Sequence, residues 1–325
     1  MDNSRKIGFW AVVSIVVGSQ IGSGIFLLPS SLASFGGIGL LSWVISGLGA
    51  IFLALVFSEL CKALPKTGGP HVYVREAFGD VVAFFVAWAY WMISWVSSPA
   101  VILAAVGYIS SLFTGTLTPV AIFGIEVAII LFFMKLNLGG VGASGRAELI
   151  LTVLKLLPVF ILPLLCLPYV DNSNFEPFNA TDKSNFMALS SAALLTFWGF
   201  IGVETATTPA GSVKNPKRTI PLAITLGTIF VLLTYLLCSY AIMGVISPEQ
   251  LKVSKAPFTD AAKIVFGGNI HYLVSIAGAV VCLGTLNAWI LTSGQIALGA
   301  ANDKLFPKFL GKQNANNAPY FAIMI

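Results

Sequence analysis

The sequence is poor in charge and in the residues that build metal or catalytic centres. Only 10% of its 325 residues are Asp, Glu, Lys or Arg, whereas 57% are hydrophobic. Soluble domains carry roughly 25% charged residues, so this chain cannot cover a water-facing surface, and its apolar content excludes a disordered chain. The few cysteines and histidines stand singly in the sequence. Their spacing predicts neither a disulfide framework nor a metal site, and we predict that the protein has no cofactor. They are Cys61, Cys166, Cys238, Cys282, His71 and His271.

The charges that are present lie mainly in the gaps between long apolar runs, a pattern typical of a polytopic membrane protein. A helix needs roughly 20 apolar residues to span a bilayer. Eight runs meet this length, and a ninth begins near residue 318 and is cut off at Ile325. The eight runs cover about residues 8–33, 38–61, 80–113, 119–135, 146–169, 187–212, 220–246 and 270–301.

The basic residues are unevenly divided between alternate gaps. Thirteen of the 18 Lys and Arg residues fall on the side of the N-terminus, four fall on the other side, and Lys155 lies inside a run. The positive-inside rule then predicts a multi-pass protein of the inner (cytoplasmic) membrane with a cytoplasmic N-terminus and an external loop at 170–186. The net charge of +5 therefore indicates orientation and not nucleic-acid binding. Residues 63–79 form the main cytoplasmic connection, whose apolar spacing suits a short interfacial helix.

Helix-breaking residues interrupt two of the runs near their midpoints. The first contains GSQIGSG at 18–24, and the sixth contains WGFIGVE at 198–204. Gly22 and Gly202 are separated by 202 − 22 = 180 residues, or five spans. An odd number of spans per repeat makes the second copy enter the membrane from the opposite side, and paired interruptions point to a transporter's substrate site. We therefore predict inverted repeats over 1–169 and 187–325, the second of them incomplete.

The two interruptions have a direct chemical meaning. Unwound backbone leaves free N–H groups at the start of one half-helix and free carbonyl groups at the end of the other. The N–H end attracts a carboxylate and the carbonyl end attracts an ammonium group. A site that offers both fits an amino acid.

Several segments resemble a known family. GSQIGSGIFLLP (18–29) resembles the first-helix signature of the amino acid–polyamine–organocation superfamily. FWGFIGVETA (197–206), VKNPKRTIP (213–221), KAPFTDAAK (255–263) and CLGTLNAWILTSGQ (282–295) look like its arginine/agmatine antiporter branch. The resemblance implies an all-α, inverted-repeat (LeuT-type, 5+5) fold with discontinuous first and sixth helices. Because members have about twelve spans, it also implies a truncated chain that ends within the ninth.

The resemblance also assigns a substrate site. The substrate carboxylate would meet Ser23 and the backbone N–H of Gly24. The α-amino group would meet the backbone carbonyls of Ile21, Trp198 and Ile201.

Four further residues are assigned by the same resemblance. Trp289 matches the residue that stacks on the guanidinium group, where an indole face contributes about 2 kcal/mol or more to a desolvated cation. Glu204 and Tyr90 match an outer gate, and Tyr73 matches a residue that closes the inner side.

Two residues depart from the antiporter branch. Ser98 stands where the branch has an Asn that contacts the guanidinium end, and its hydroxyl offers fewer donors and acceptors. Lys155 lies near the middle of the fifth span, where the branch is apolar but some proton-coupled permeases and neutral exchangers carry a Lys. Such a lysine can alternate between charged and neutral forms. Alternatively, Lys155 pairs with Glu126, Glu204 or the freed carbonyls of the first span.

The function that these observations favour is secondary transport of amino acids by alternating access, most specifically exchange of arginine for agmatine. The substrate is a small molecule, the other partner is the lipid bilayer, and a homodimer is compatible with the sequence. The alternatives are a proton-coupled or neutral amino acid permease and a truncated chain that no longer transports. A membrane enzyme would need a nucleophile–base pair or a metal-ligand set, and a channel would need rings of charges or carbonyls along a path. The sequence contains neither pattern.

Overall fold

The computed structural model describes residues 7–110, 112–113 and 117–325, except for the side chains of residues 23, 141–143, 145–146, 212 and 271. The basic residues Arg5 and Lys6 and the side chains of Arg146 and His271 therefore lie outside the described part. Within it, the chain is almost entirely helical. The helices are α1 (Phe9–Gln20), α2 (Ser23–Leu32), α3 (Ile38–Ala63), α4 (Pro70–Val96), α5 (Ser98–Ser110), α6 (Pro119–Leu138), α7 (Val141–Cys166), α8 (Asn185–Phe197), α9 (Pro216–Val245), α10 (Pro248–Val253), α11 (Pro257–Phe266), α12 (Ile270–Asn302) and α13 (Tyr320–Met324).

Eight helical segments of the described chain are long and apolar enough to cross a membrane, which confirms the predicted number of spans. They cover Phe9–Leu32, Ile38–Ala63, Pro70–Ser110, Pro119–Leu138, Ala147–Tyr169, Asn185–Thr207, Pro216–Val245 and Tyr272–Asn302. The third is longer than a bilayer requires, as predicted for residues 80–113. It contains a bend at Gly79, whose φ of 80° and ψ of −175° end the first stretch of α4 after residue 78. That stretch is the short helix that the sequence predicts in the connection.

The 26-residue helix α3 runs between the two sides of the protein. At its start, the N–H of Ile38 donates to the carbonyl of Phe178 at 2.7 Å. At its end, the chain enters the connection 63–79, and Thr67 Oγ1 accepts from the N–H of Gly211 at 3.0 Å. We call these the loop side, which holds residues 170–186, and the connection side, which holds residues 63–79.

Other contacts place the basic gaps together on the connection side. The N–H of Lys214 donates to the carbonyl of Ile7 at 2.9 Å, which brings the N-terminal segment next to residues 211–215. Arg75 pairs with Asp303 at the end of α12 at 3.0 Å. The N-terminal segment, the connection, residues 211–215 and the end of α12 thus share one face, as the charge pattern predicts for these gaps.

The interior is built around α9, which packs between α1, α3 and α7. Trp43 of α3 and Tyr235 of α9 are fully buried, with ring centroids 4.6 Å apart. The indole N–H of Trp43 donates to Ser239 Oγ at 2.7 Å. This satisfied polar pair fixes α9 against α3 and thereby positions Tyr235 beside both helix interruptions.

Candidate functional site

The first helix breaks where the glycine-rich run predicts. α1 ends at Gln20, Ile21 is extended, and α2 begins at Ser23 with Gly22 as its N-cap. Glycine carries no side chain that could occupy the first N–H groups of α2, so these remain available to a ligand.

Side chains from distant helices satisfy the carbonyls that this break frees. Lys155 Nζ donates to the carbonyl of Gly18. Tyr235 Oη lies 2.6 Å from the carbonyl oxygen of Gln20, and Thr285 Oγ1 donates to that of Ile21 at 3.2 Å. A carbonyl oxygen has two lone pairs, so the Ile21 carbonyl can accept a second donor.

The sixth span breaks at the predicted place, but its second half is not an α-helix. After α8, Trp198–Phe200 form a 3₁₀ turn, Ile201 is extended, and Gly202 has a φ of 109° that favours glycine. Short 3₁₀ turns follow at Thr205–Thr207 and Ala210–Ser212. The threonine hydroxyls explain this, because Thr205 Oγ1 and Thr207 Oγ1 donate to carbonyls three residues earlier, at 2.6 and 2.7 Å. Such local bonds compete with the α-helical pattern.

The two breaks face each other. Ser19 Oγ lies 3.1 Å from the carbonyl oxygen of Gly202 and 2.8 Å from Thr205 Oγ1. Tyr235 Oη, beside Gln20, is also 2.8 Å from the carbonyl oxygen of Gly199. One serine and one tyrosine therefore hold the interrupted segments together.

A cavity of about 70 Å³ lies between the two breaks. Of the predicted substrate-binding residues, Gly24, Trp198, Ile201 and Trp289 line it. The side chain of Ser23 lies outside the described part of the chain, although its backbone opens α2. The other lining residues are Ser19, Gln20, Gly22, Ile93, Ser97, Val101, Gly199 and Thr285.

Ser98 and Ile21, which are also predicted to bind substrate, are not among the residues that line the cavity. Ser97, which separates α4 from α5, lines the cavity in the position expected for Ser98, and its Oγ donates to the carbonyl of Ile93 at 2.8 Å. Ser98 is the first residue of α5, one residue further on, and is not among the lining residues. Ile21 is fully buried, and its carbonyl is already held by Thr285.

The predicted gate residues lie on one side of the cavity. The Tyr90 hydroxyl lies beside the carboxylate of Glu204, and Tyr73 lies against Cys61 and Thr207. A Cβ built on Gly69 of the connection would lie 3.7 Å from the Tyr90 ring. All three side chains lie toward the connection side, whereas the resemblance separates an outer pair from an inner residue. The sixth span starts on the loop side, and Glu204 follows its break. Glu204 therefore lies in the half of this span that is nearer to the connection side.

Lys155 is fully buried and confirms one of the predicted alternatives, because its ammonium binds a freed carbonyl of the first span. Its carboxylate partner is Glu148, with Lys155 Nζ 3.7 Å from Glu148 Oε1, and not Glu126 or Glu204. Sequence reasoning missed Glu148 because it stands next to the predicted border of the fifth span. The spacing of Glu148 and Lys155 could have revealed the pair, because residues seven positions apart lie on the same face of a helix.

The connection side carries a further cluster that the sequence did not reveal. His71 is buried, and its Nε2 lies 3.3 Å from Asp303 Oδ2. Arg75 contacts the other oxygen of Asp303 at 3.0 Å and reaches Asp80 at 2.7 Å. The N–H of Gly68 donates to the carbonyl of Thr208 at 3.0 Å. These contacts tie the connection to both α12 and the second half of the sixth span, so the protein is closed there.

Known proteins are similar to this chain over nearly its whole length. A family model described as amino acid permease matches residues 7–325. A cadaverine/lysine antiporter of Escherichia coli K12 is 36% identical over 329 residues, covering all of this chain and 73% of the relative. An arginine/ornithine antiporter of Pseudomonas aeruginosa is 31% identical over 339 residues, covering all of this chain and 69% of the relative.

A solved structure, the outward-open state of a Na⁺-coupled sialic acid symporter, matches with a TM-score of 0.68 at 11% identity. The match covers 99% of this chain and 71% of that one. At this identity the likeness shows the fold, which is the predicted all-α, inverted-repeat transporter fold of the LeuT type.

Proposed function

Because the chain belongs to the amino acid permease family, we propose that it exchanges a cationic amino acid for its decarboxylated amine by alternating access. It is a multi-pass membrane transporter of small molecules and not an enzyme. The proposal rests above all on the cavity between the two helix breaks, where free N–H groups, carbonyls and two indole rings converge.

The chemistry of the cavity supports an amino acid as substrate. The N-terminus of α2, capped by Gly22, suits the α-carboxylate, and carbonyls of the broken segments suit the α-amino group. Trp289 is 7% exposed and Trp198 is 48% exposed, so one indole forms an interior wall and the other borders open space. An indole face attracts a cation most strongly where water is excluded, which assigns the distal cation to Trp289.

Glu204 supports a cationic substrate in particular. Its carboxylate lies beside Tyr90 within the sixth membrane-spanning segment, and no basic side chain of the described residues forms a salt bridge with it. A carboxylate at this depth is costly unless a partner reaches it, and a substrate ammonium or guanidinium can supply the missing charge. The predicted exchange is of arginine for agmatine. The similarity to a cadaverine/lysine antiporter makes lysine and cadaverine the second pair to test.

Counterflow in proteoliposomes tests the proposal. Vesicles that contain purified protein and unlabelled arginine or lysine are placed in a trace of the labelled amino acid, with agmatine, cadaverine or leucine as competitors. We expect accumulation that the matching amine suppresses more than leucine does. Equal suppression by leucine, or no accumulation with any amino acid, would contradict cationic exchange.

Proton-coupled transport is the second candidate, and buried Lys155 on the carbonyl of Gly18 is the observation that favours it. Vesicles without internal substrate discriminate the two mechanisms, because symport under an inward proton gradient needs no exchange partner. Lys155→Ala should then abolish the pH dependence of uptake. If uptake by Lys155→Ala shows the parent's pH dependence, Lys155 is not the proton site.

The repeat boundaries 1–169 and 187–325, the cytoplasmic N-terminus and the inner-membrane location belong to this proposal as well. Labelling of single cysteines placed in 170–186 and in 211–215 with an impermeant maleimide on intact cells tests the orientation. We expect rapid labelling of the first segment and protection of the second.

A further inference from the structure

A fully buried polar network lies directly behind the cavity wall. Glu148 is 1% exposed and Lys155 is 0% exposed, with 3.7 Å between the carboxylate and the ammonium. Thr152 Oγ1 donates to Glu148 Oε1 at 3.1 Å, and Asn287 Nδ2 donates to Glu148 Oε2 at 2.9 Å. Asn287 in turn accepts from Asn137 at 3.1 Å. The network thus fixes the Glu148 carboxylate from α7, α12 and α6.

The network is one residue away from the cavity on two sides. Lys155 binds the carbonyl of Gly18, whose neighbour Ser19 lines the cavity. A Cβ built on Gly284 would lie 3.8 Å from Lys155 Nζ, and its neighbour Thr285 also lines the cavity. Lys155 is fully buried beside these two wall positions, so its charge acts on a substrate through protein that screens Coulomb interactions weakly.

A lone ammonium at this position would repel a cationic substrate, and a dication more than a monocation. Glu148 removes that repulsion because it places an opposite charge beside the ammonium, so the pair is neutral toward the cavity. The carboxylate also sits over Gly18, where an added Cβ would clash with Glu148 Oε1. The only other titratable group close to Lys155 among the described residues is the thiol of Cys282 on α12.

We propose that Glu148 is a specificity-determining residue that cancels the charge of Lys155 and so lets the neighbouring cavity accept cationic amino acids and amines. This inference rests on the proposed exchange of cationic substrates. Glu148 acts through Lys155 and does not contact the substrate.

Opposite charge changes test the pair. Glu148→Gln leaves the ammonium alone, and Lys155→Met leaves the carboxylate alone, while the double variant has no charge at all. The readout is the ratio of the concentrations of cadaverine and leucine that halve counterflow of labelled lysine. The assays are run at about pH 5.5, which favours protonation of a lone lysine, and at about pH 8, which favours ionisation of a lone carboxyl group.

Glu148→Gln should weaken cadaverine relative to leucine about tenfold at the acid pH. Lys155→Met should shift the ratio about tenfold the other way at the alkaline pH. The double variant should return to within about threefold of the parent, since it is again neutral. Thr152→Val is the matched control, because it removes a hydrogen bond from the same network without changing its charge. It should lower thermal stability and leave the ratio unchanged.

The outcomes separate this inference from the proposed function. If the parent chain exchanges lysine but all four variants keep the parent ratio, the pair is structural and the inference is overturned. If the parent exchanges no cationic substrate, the proposed function fails whatever the variants do. Should Glu148→Gln not reach the membrane, the shift in Lys155→Met and its reversal in the double variant still decide the matter.

Discussion

Ser19 of the first interrupted span lies against Gly202 of the sixth, with 3.1 Å between the Ser19 hydroxyl and the Gly202 carbonyl oxygen. The contact joins residues 183 positions apart at the points where both helices unwind. A Cβ built on Gly202 would lie 2.7 Å from Ser19 Oγ. The close approach of the breaks therefore depends on a glycine at 202.

Replacing Gly202 by alanine should disrupt the site. The residue has a φ of 109°, which alanine rarely adopts, and the added methyl group would displace Ser19. We expect Gly202→Ala to lower stability by about 1–3 kcal/mol and to abolish counterflow. The measurement is the melting temperature in detergent together with exchange in vesicles.

Gly107→Ala provides the control for that variant. Gly107 lies inside α5, and a Cβ there would meet nothing within 4 Å. Alanine in a helix interior gains up to about 1 kcal/mol over glycine, so stability should hold or rise and exchange should continue. Wild-type exchange by Gly202→Ala would show that the breaks can separate without loss of function.

Removing the hydroxyl of Tyr235 should loosen the same junction from the other side. The group lies 2.6 Å from the Gln20 carbonyl oxygen and 2.8 Å from that of Gly199, all of them buried. Tyr235→Phe removes the one hydroxyl proton that these two carbonyls share, which costs about 1–3 kcal/mol. We expect a lower melting temperature and slower exchange with the parent's substrate preference, measured by competition between lysine, cadaverine and leucine. A changed preference with unchanged stability would contradict this positioning role.

Trp289 should discriminate by charge. Its indole lines the cavity, and loss of a desolvated cation–π contact of about 2 kcal/mol corresponds to about a 30-fold loss of affinity. Trp289→Leu should therefore weaken agmatine and cadaverine far more than leucine in competition assays. Trp10→Leu is the control, because Trp10 is 75% exposed and is not among the residues that line the cavity. Equal weakening of all competitors by Trp289→Leu would assign the ring to packing alone.

Asp303 should control access from the connection side. It holds both His71 and Arg75 and so attaches the connection to the end of α12. Asp303→Asn weakens both ties, which favours states that are open on this side. A cysteine introduced at Thr67 should react with an impermeant maleimide several-fold faster in this background, and the native cysteines are all buried. The expected increase is about threefold to tenfold.

The control for Asp303 uses the second carboxylate bound by Arg75. Asp80→Asn removes a 2.7 Å contact with Arg75 that does not reach α12. Labelling at Thr67→Cys should then stay at the parent rate. If Asp303→Asn and Asp80→Asn accelerate labelling equally, access depends on the loss of a charge partner for Arg75 and not on the contact between the connection and α12.

The sequence alone determines the number of spans, the two interruptions and the division of charge between the two sides. Each depends on a property of a short continuous segment. A run of about 20 apolar residues is long enough to cross a bilayer, and each glycine of the two interrupted runs costs about 1 kcal/mol in a helix interior. The resemblance of these segments to one superfamily then places Gly24, Trp198, Ile201 and Trp289 at a common site, and all four line one cavity.

Only the tertiary structure decides which distant side chains meet. The partner of Lys155 is Glu148, the cavity is lined by Ser97 instead of its neighbour Ser98, and Tyr90, Glu204 and Tyr73 gather on one side. These facts depend on how each helix is rotated about its axis and which helix packs beside it. A one-residue change in register turns a side chain by about 100°, so hydropathy and motif spacing fix a span without fixing the direction in which its polar groups point.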